Sequence, residues 1–198
     1  MLKHLPNFIS HEECDAFIKQ IDDIAAPSQV ISTAANVSVD SEWRISDTAA
    51  FSDVHETIGP LKQRIADELN FRVTQGEPIQ GFRYHEGGFF GRHTDWFSFE
   101  QLQSDGWISG NRSKTLIVYL NDDFTGGETN FPNVSRALTP KKGDAWIWDN
   151  IINGRCSDES LHESLPILTG TKYILSSFWR EFDFNPVGDR EYYKSLTP

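Results

Sequence analysis

His93 and Asp95 stand two residues apart at the end of the stretch Gln80–Asp95, QGFRYHEGGFFGRHTD. In an extended strand, residues i and i+2 project to the same face, so this imidazole and this carboxylate converge on one point. That is half of a metal site. His162, far along the chain in a short strand-like stretch SLHES, offers a second imidazole. Two histidines and one carboxylate form a facial triad that leaves coordination positions open, the arrangement that non-haem Fe(II) uses for oxygen chemistry. A structural zinc site is closed by four protein ligands, commonly with thiolates. Cys14 and Cys156 do not supply that pattern.

Lys172 opens the strand-like run KYILSSFW and by alternation shares a face with Ile174, Ser176 and Phe178. An inward lysine is costly unless it meets an anion. Either its head reaches water at the strand mouth or, beside a metal site, it meets the carboxylate of a cosubstrate. Of the other histidines, His4, His11 and His55 fall in the helical N-terminal part and read as surface residues. His85 precedes a Gly-Gly pair and reads as a turn residue.

The elements that must position these groups follow from periodicity. Ser10 with Glu13 has capping-box spacing, and Phe17, Ile18, Ile21 and Ile24 recur at helical intervals, which predicts a helix over His11–Ile24. Ile58, Leu61, Ile65 and Leu69 predict a second helix from Val54 to Leu69. Gln29 to Val39 and Glu42 to Phe51 read as strands. After Asn70 the pattern changes to short apolar runs separated by Gly, Asn, Asp and Pro. These predict strands over Ile79–Tyr84, Phe89–Trp96, Thr115–Leu120, Glu128–Phe131, Ala145–Trp148, Leu161–Glu163 and Lys172–Phe182, the signature of a β-sandwich or jelly roll. The polar stretch Ser104 to Ser113 reads as a long loop beside the site, suited to a lid.

The length of 198 residues suits one domain, divided here into a helix-rich support (1–70), a β core (71–182) and a polar tail (183–198). With 18 basic against 29 acidic residues the formal charge is −11, which disfavours nucleic-acid and anionic-membrane partners, since both need basic surface. Two cysteines imply reduced thiols rather than a disulfide framework. The N-terminus lacks the apolar run of a signal peptide and no segment is long enough to span a bilayer, so a soluble cytoplasmic protein is expected.

The ordered set of motifs resembles the 2-oxoglutarate and Fe(II)-dependent oxygenases of the prolyl 4-hydroxylase type. The matches are PNFISHEEC, Arg44-Ile45-Ser46, Glu77, Gln80, Tyr84 and Gly87, then His93 and Asp95, Arg112, Thr115 and Tyr119-Leu120-Asn121. Gly126-Gly127-Glu128-Thr129-x-Phe131-Pro132 is close to a family signature, and Pro140, Gly143, Leu161-His162, Pro166, Gly170, Lys172 and Trp179 complete the order. The resemblance covers nearly the whole chain. It implies a double-stranded β-helix, a mainly β jelly roll with helices packed on the major sheet.

The resemblance also implies roles. His93, Asp95 and His162 would bind Fe(II), and Lys172 would hold the distal carboxylate of 2-oxoglutarate with help from the Tyr119 hydroxyl. Tyr84 would line the pocket near cosubstrate or peptide, and Trp179 would pack near the metal strands. Arg83 and Arg112 are candidates for substrate contact, Glu128 and Thr129 for a structural role, and Phe82, Phe90, Trp96, Trp146 and Trp148 for the pocket wall. Phe90 stands where many relatives carry Tyr, and Asp95 argues against the related halogenases. O2 would be the co-reactant, ascorbate the reductant, and succinate and CO2 the co-products. The implied substrate is a proline in a peptide or protein, hydroxylated to 4-hydroxyproline. The alternatives are a free amino acid or other small metabolite as substrate, or a non-catalytic β-sandwich binding module.

Overall fold

The computed structural model describes residues 2–28, 30–33, 36–38, 41–52, 56–105, 108–185 and 187. Its first helix is His11–Ile24, as the periodicity predicts, and the capping box closes: Ser10 Oγ accepts from the Glu13 N–H while the Glu13 carboxylate accepts from the Ser10 N–H. The second helix is Ile58–Leu69, ended by Asn70 in the left-handed conformation. Residues 54 and 55 of its expected first turn lie outside the described residues.

Two antiparallel sheets carry the rest. The major sheet orders its strands Leu2–Leu5, Ala145–Asp149, Arg112–Tyr119, Lys172–Arg180, Gln80–Tyr84, Asp47–Ala50 and Ala26–Pro27. The minor sheet orders Arg136–Leu138, Thr129–Phe131, His162–Ser164, Phe89–His93 and Arg44–Ile45. From Gln80 onward the chain passes back and forth between the two sheets, with Thr129–Phe131 and Arg136–Leu138 the one hairpin among the described residues that stays within either of them, which makes the fold a jelly roll with helices on the major sheet.

Strand alternation divides the core into two layers. Leu116, Val118, Ala145, Ile147 and Leu175 face the helices and pack with Phe17, Ile21, Leu61 and Ile65. Ile117, Tyr119, Trp148, Ile174, Phe82 and Tyr84 face the minor sheet. This second layer is where the chemistry-bearing side chains sit.

Several expectations are corrected. Gln29 to Val39 is no single strand; Val30–Thr33 and Asn36–Ser38 pair antiparallel with each other, with residues 29, 34, 35 and 39 outside the described set. Glu42 to Phe51 divides at Ser46: Arg44–Ile45 pairs with Phe90 and Phe89 in the minor sheet, while Asp47–Ala50 pairs with the Gln80–Tyr84 strand in the major one. The Ser104 to Ser113 stretch begins inside a helix, Phe99–Asp105, and ends inside the strand that starts at Arg112. Residues 106 and 107 between them lie outside the described residues, as do residues 186 and 188–198 of the tail. Cys14 and Cys156 are free thiols. No helix among the described residues is long and apolar enough to cross a membrane.

Candidate active site

His93 and His162 are Cα partners across the two central strands of the minor sheet, so both rings leave the backbone toward the major sheet. Their centroids are 4.3 Å apart. Asp95 does not belong to the strand, which ends at His93; it follows in a bend, and this brings its carboxylate between the rings. Its Oδ1 lies 3.8 Å from His93 Nε2 and its Oδ2 lies 3.8 Å from His162 Nε2. One ligand atom from each of the three residues falls within a 4.8 Å cluster.

The tautomers suit a metal. His93 Nδ1 is 2.8 Å from the Gly91 carbonyl and His162 Nδ1 is 2.8 Å from the Ser160 carbonyl. A carbonyl only accepts, so each Nδ1 carries the proton and each Nε2 presents a lone pair to the cluster. Burial, reinforced by the neighbouring His162, pushes the His93 pKa down to about 3, which keeps it neutral and ready to ligate. Burial opposes the charge of Asp95, yet His162, His93 and Arg112 hold its pKa below the ordinary carboxylate value. The donor set therefore fits a divalent cation taking two imidazoles and one carboxylate.

The cluster opens on a cavity of about 680 Å³ between the sheets. Lys172 lines it, 0% exposed, and donates to the Gly127 carbonyl at 2.7 Å and the Ser164 hydroxyl at 2.9 Å. No carboxylate among the described residues pairs with this amine, and burial lowers its pKa to about 7. Gly126 and Gly127 both hold positive φ, and the left-handed turn they make points the Gly127 carbonyl at Lys172. Tyr84 flanks the amine, with its ring centroid 5.2 Å from Nζ. The Tyr119 hydroxyl, fully buried, bonds Thr129 Oγ1 at 2.8 Å.

Of the predicted residues, His93, Asp95, His162, Lys172, Tyr84, Arg112, Thr129, Phe82, Phe90, Trp96 and Trp148 line this cavity. Others do not. Arg83 is turned away, pairing with Asp22 and Asp47 at 2.9 Å each. Trp179 counts by twos with Leu175, not with Lys172, so it packs on the helix side against Phe71 and donates its Nε1–H to Ser177. Trp146 lies at the far edge of the sandwich, stacked on His4. His55 lies outside the described residues.

Four contributors have contacts that the sequence does not reveal, although Arg44 and Thr115 stand among the positions that resemble the family. Ser164 is legible only by counting two from His162. Thr115 donates to Asp95 Oδ2 at 2.7 Å. Asn150 donates to Thr115. Arg44 stacks between Phe82 and Phe90 at 4.5 and 4.4 Å, with Nε on Ser46. Its Nη2 is buried with no partner among the described residues, within the same cavity lining.

The model of the 2OG-Fe(II) oxygenase superfamily matches residues 79–180, the segment that holds the triad and Lys172. The chain belongs to this superfamily. Among its relatives, prolyl 4-hydroxylase subunit alpha-1 of Bos taurus is 30% identical over 174 residues, which cover 84% of this chain and 33% of the relative. Prolyl 4-hydroxylase 5 of Arabidopsis thaliana is 28% identical over 199 residues, covering 90% of this chain and 67% of the relative. This chain thus spans about a third of the bovine subunit. A collagen prolyl hydroxylase of Paramecium Bursaria Chlorella virus-1, solved as its 2OG complex, superposes with a TM-score of 0.71 at 25% identity, covering 90% of this chain and 95% of that one. The matched segment thus carries both the three-residue cluster and a buried lysine that no carboxylate among the described residues pairs with.

Proposed function

We propose that this oxygenase hydroxylates proline in a peptide or protein at the 4-position, with 2-oxoglutarate and O2 consumed and succinate and CO2 released. One observation carries the reading: the His93–Asp95–His162 cluster and Lys172, whose amine forms no ion pair with a carboxylate among the described residues, line one cavity. In it, His93 Nε2, His162 Nε2 and a carboxylate oxygen of Asp95 hold Fe(II), and Lys172 neutralises the distal carboxylate of 2-oxoglutarate. Fe(II) with 2-oxoglutarate and O2 would supply an oxidant able to hydroxylate an unactivated C–H bond, with 2-oxoglutarate and the substrate each giving two electrons to O2 and ascorbate serving only to return over-oxidised iron to Fe(II).

The chain's own part is placement and shielding. Phe82, Phe90, Trp96 and Trp148 wall the cavity and keep water from the reacting centre. Lys172 and Tyr84 orient the cosubstrate from the far end. Arg44 Nη2, buried with no partner among the described residues, donates to an oxygen of the substrate, and a peptide carbonyl next to the target proline meets that need. The names of the relatives and of the viral structure favour a prolyl peptide over a free amino acid.

The test is mass spectrometry of proline peptides incubated with the protein, Fe(II), ascorbate and 2-oxoglutarate, with succinate measured in parallel. A proline-dependent +O product, lost in His162→Ala, is expected. Succinate release stimulated only by free amino acids would move the substrate to that class, and succinate release unaffected by His162→Ala would remove the assigned triad.

A further inference from the structure

The Thr115 hydroxyl stands between an assigned ligand and a side chain with no assigned role. Its Oγ1 lies 2.7 Å from Asp95 Oδ2 and 2.8 Å from Asn150 Nδ2. All three residues are buried, Asn150 completely. An ionised carboxylate only accepts, so the single hydroxyl proton of Thr115 points at Asp95 and its lone pair receives the amide. The polarity is therefore fixed as Asn150 to Thr115 to Asp95. Turning the amide over would face Thr115 with a second acceptor for one proton. The orientation leaves Asn150 Oδ1 buried without a partner among the described residues.

The same asparagine reaches the second histidine through its backbone. Its carbonyl accepts from the Ser157 N–H at 2.9 Å, and the Ser157 carbonyl accepts from the Ser160 N–H and hydroxyl at 3.2 and 2.7 Å. The Ser160 carbonyl then accepts from His162 Nδ1 at 2.8 Å. The Asn150 N–H itself is anchored on the Ser113 carbonyl at 2.9 Å. One hydrogen-bonded path thus runs from Asp95 to His162 through Thr115, Asn150 and the segment 150–160.

We propose that Thr115 and Asn150 are positioning residues that set the metal-binding face before any metal arrives. By occupying Oδ2, the Thr115 proton fixes the carboxylate rotamer of Asp95 and leaves Oδ1 to ligate. Through Asn150, the rotamer of Asp95 and the ring of His162 are held by one strap. The inference rests on reading the triad as the metal site.

Co(II) titration of the full chain, without cosubstrate, separates the two claims. His162→Ala tests the site: Co(II) affinity equal to that of the parent protein would overturn the metal reading itself. Thr115→Val keeps the side-chain shape and removes the proton donor. It should weaken Co(II) binding by roughly ten- to a hundredfold, the usual cost of losing a partner behind a ligand, and shift the Co(II) d–d bands as Asp95 changes its mode of binding. Thr115→Ser, which retains the donor, should restore both. Thr115→Val binding Co(II) within about twofold of the parent, against that expected range, with the parent spectrum would overturn the proposal. If Thr115→Val does not fold by near-UV circular dichroism, Asn150→Leu is the deciding variant. It keeps the Thr115–Asp95 bond but frees the hydroxyl to rotate, so weaker Co(II) binding with altered bands supports the strap and unaltered binding refutes it.

Discussion

Lys172 Nζ and Ser164 Oγ are 2.9 Å apart, so among the described residues a fully buried amine is answered by a hydroxyl and a carbonyl instead of a carboxylate. The lowered pKa of about 7, against an ordinary 10.5, follows from that burial. Binding of a dianionic cosubstrate requires the protonated amine, and above about pH 7 the free protein has lost that proton. The affinity for 2-oxoglutarate should then fall roughly tenfold per pH unit above that point, with a proton taken up on binding. Isothermal titration between pH 6.5 and about 9 in two buffers of different ionisation enthalpy measures both. A pH-independent affinity would mean that Lys172 is not the anchor.

The same burial makes Lys172 a destabilising residue in the unliganded protein. Its folded pKa is depressed, so the unfolded chain binds more protons between about 7 and 10.5. Stability of the unliganded protein should rise with pH across that window, and the penalty is present in full below it. Lys172→Met should raise the melting temperature of the unliganded protein at pH 7 while abolishing the gain that 2-oxoglutarate confers on the parent. A lower melting temperature in the variant would show that the two hydrogen bonds outweigh the desolvation.

Gly127 serves this amine through its backbone. It holds φ 68°, and a Cβ there would lie 2.2 Å from Ile167 Cδ1. Gly127→Ala should cost about 1–2 kcal/mol in stability from the left-handed backbone alone. Since the turn also aims the carbonyl at Lys172, the apparent KM for 2-oxoglutarate should rise while Co(II) affinity stays near the parent value. Equal losses in both would indicate a general collapse of the sandwich.

Arg44 offers the sharpest test of substrate placement. Its guanidinium carbon lies over the rings of both Phe82 and Phe90, and Phe90 in turn stacks on His93 at a centroid distance of 3.7 Å. A donor left unpaired in a buried cavity is an expense that a bound acceptor relieves. Arg44→Met should raise the peptide KM roughly ten- to a hundredfold, the worth of a hydrogen bond to a charged donor, with 2-oxoglutarate affinity unchanged. Peptide kinetics indifferent to the substitution would place the substrate elsewhere in the cavity.

What could be read from the sequence follows how local each relationship is. The helix His11–Ile24 is written in its own capping box and apolar spacing, and the structure returns the same limits. His93 and His162 declare themselves by residue type, and strand parity puts Lys172 with Ile174 and Ser176 on the cavity side. The same parity, carried two steps further, already separates Trp179 from Lys172; only the family resemblance suggested otherwise. The contacts that complete the site are non-local. Thr115 meets Asn150 because the Arg112–Tyr119 and Ala145–Asp149 strands are neighbours in the major sheet, a pairing that no local periodicity encodes. Arg44 reaches the cavity because the chain changes sheets at Ser46, and a single strand drawn from Glu42 to Phe51 hides that corner.

Glu77 shows how the cavity wall itself is secured. Its carboxylate accepts two bonds from Arg112, at 2.8 and 2.7 Å, and one from Arg180 at 2.5 Å. Arg112 also stacks over Phe178 at 3.8 Å, on the cavity side. Burial works against the Glu77 charge, but the Arg112 and Arg180 guanidinium groups overcome it and lower the pKa below 4.5. The folded pKa is thus depressed, so this contribution is fully present above the unfolded value and is lost as pH falls through the folded one. Glu77→Gln leaves the buried Arg180 and the half-buried Arg112 guanidinium groups facing a neutral amide, and should cost about 3 kcal/mol of stability at pH 7. The difference between parent and variant should shrink as acid protonates the parent's carboxylate. Denaturant unfolding at pH 7 and at a series of values below 4.5 measures this convergence. Curves that stay parallel through the acid range would show that stacking of the guanidinium groups on Phe178 and Phe97, rather than the charge of Glu77, holds this wall.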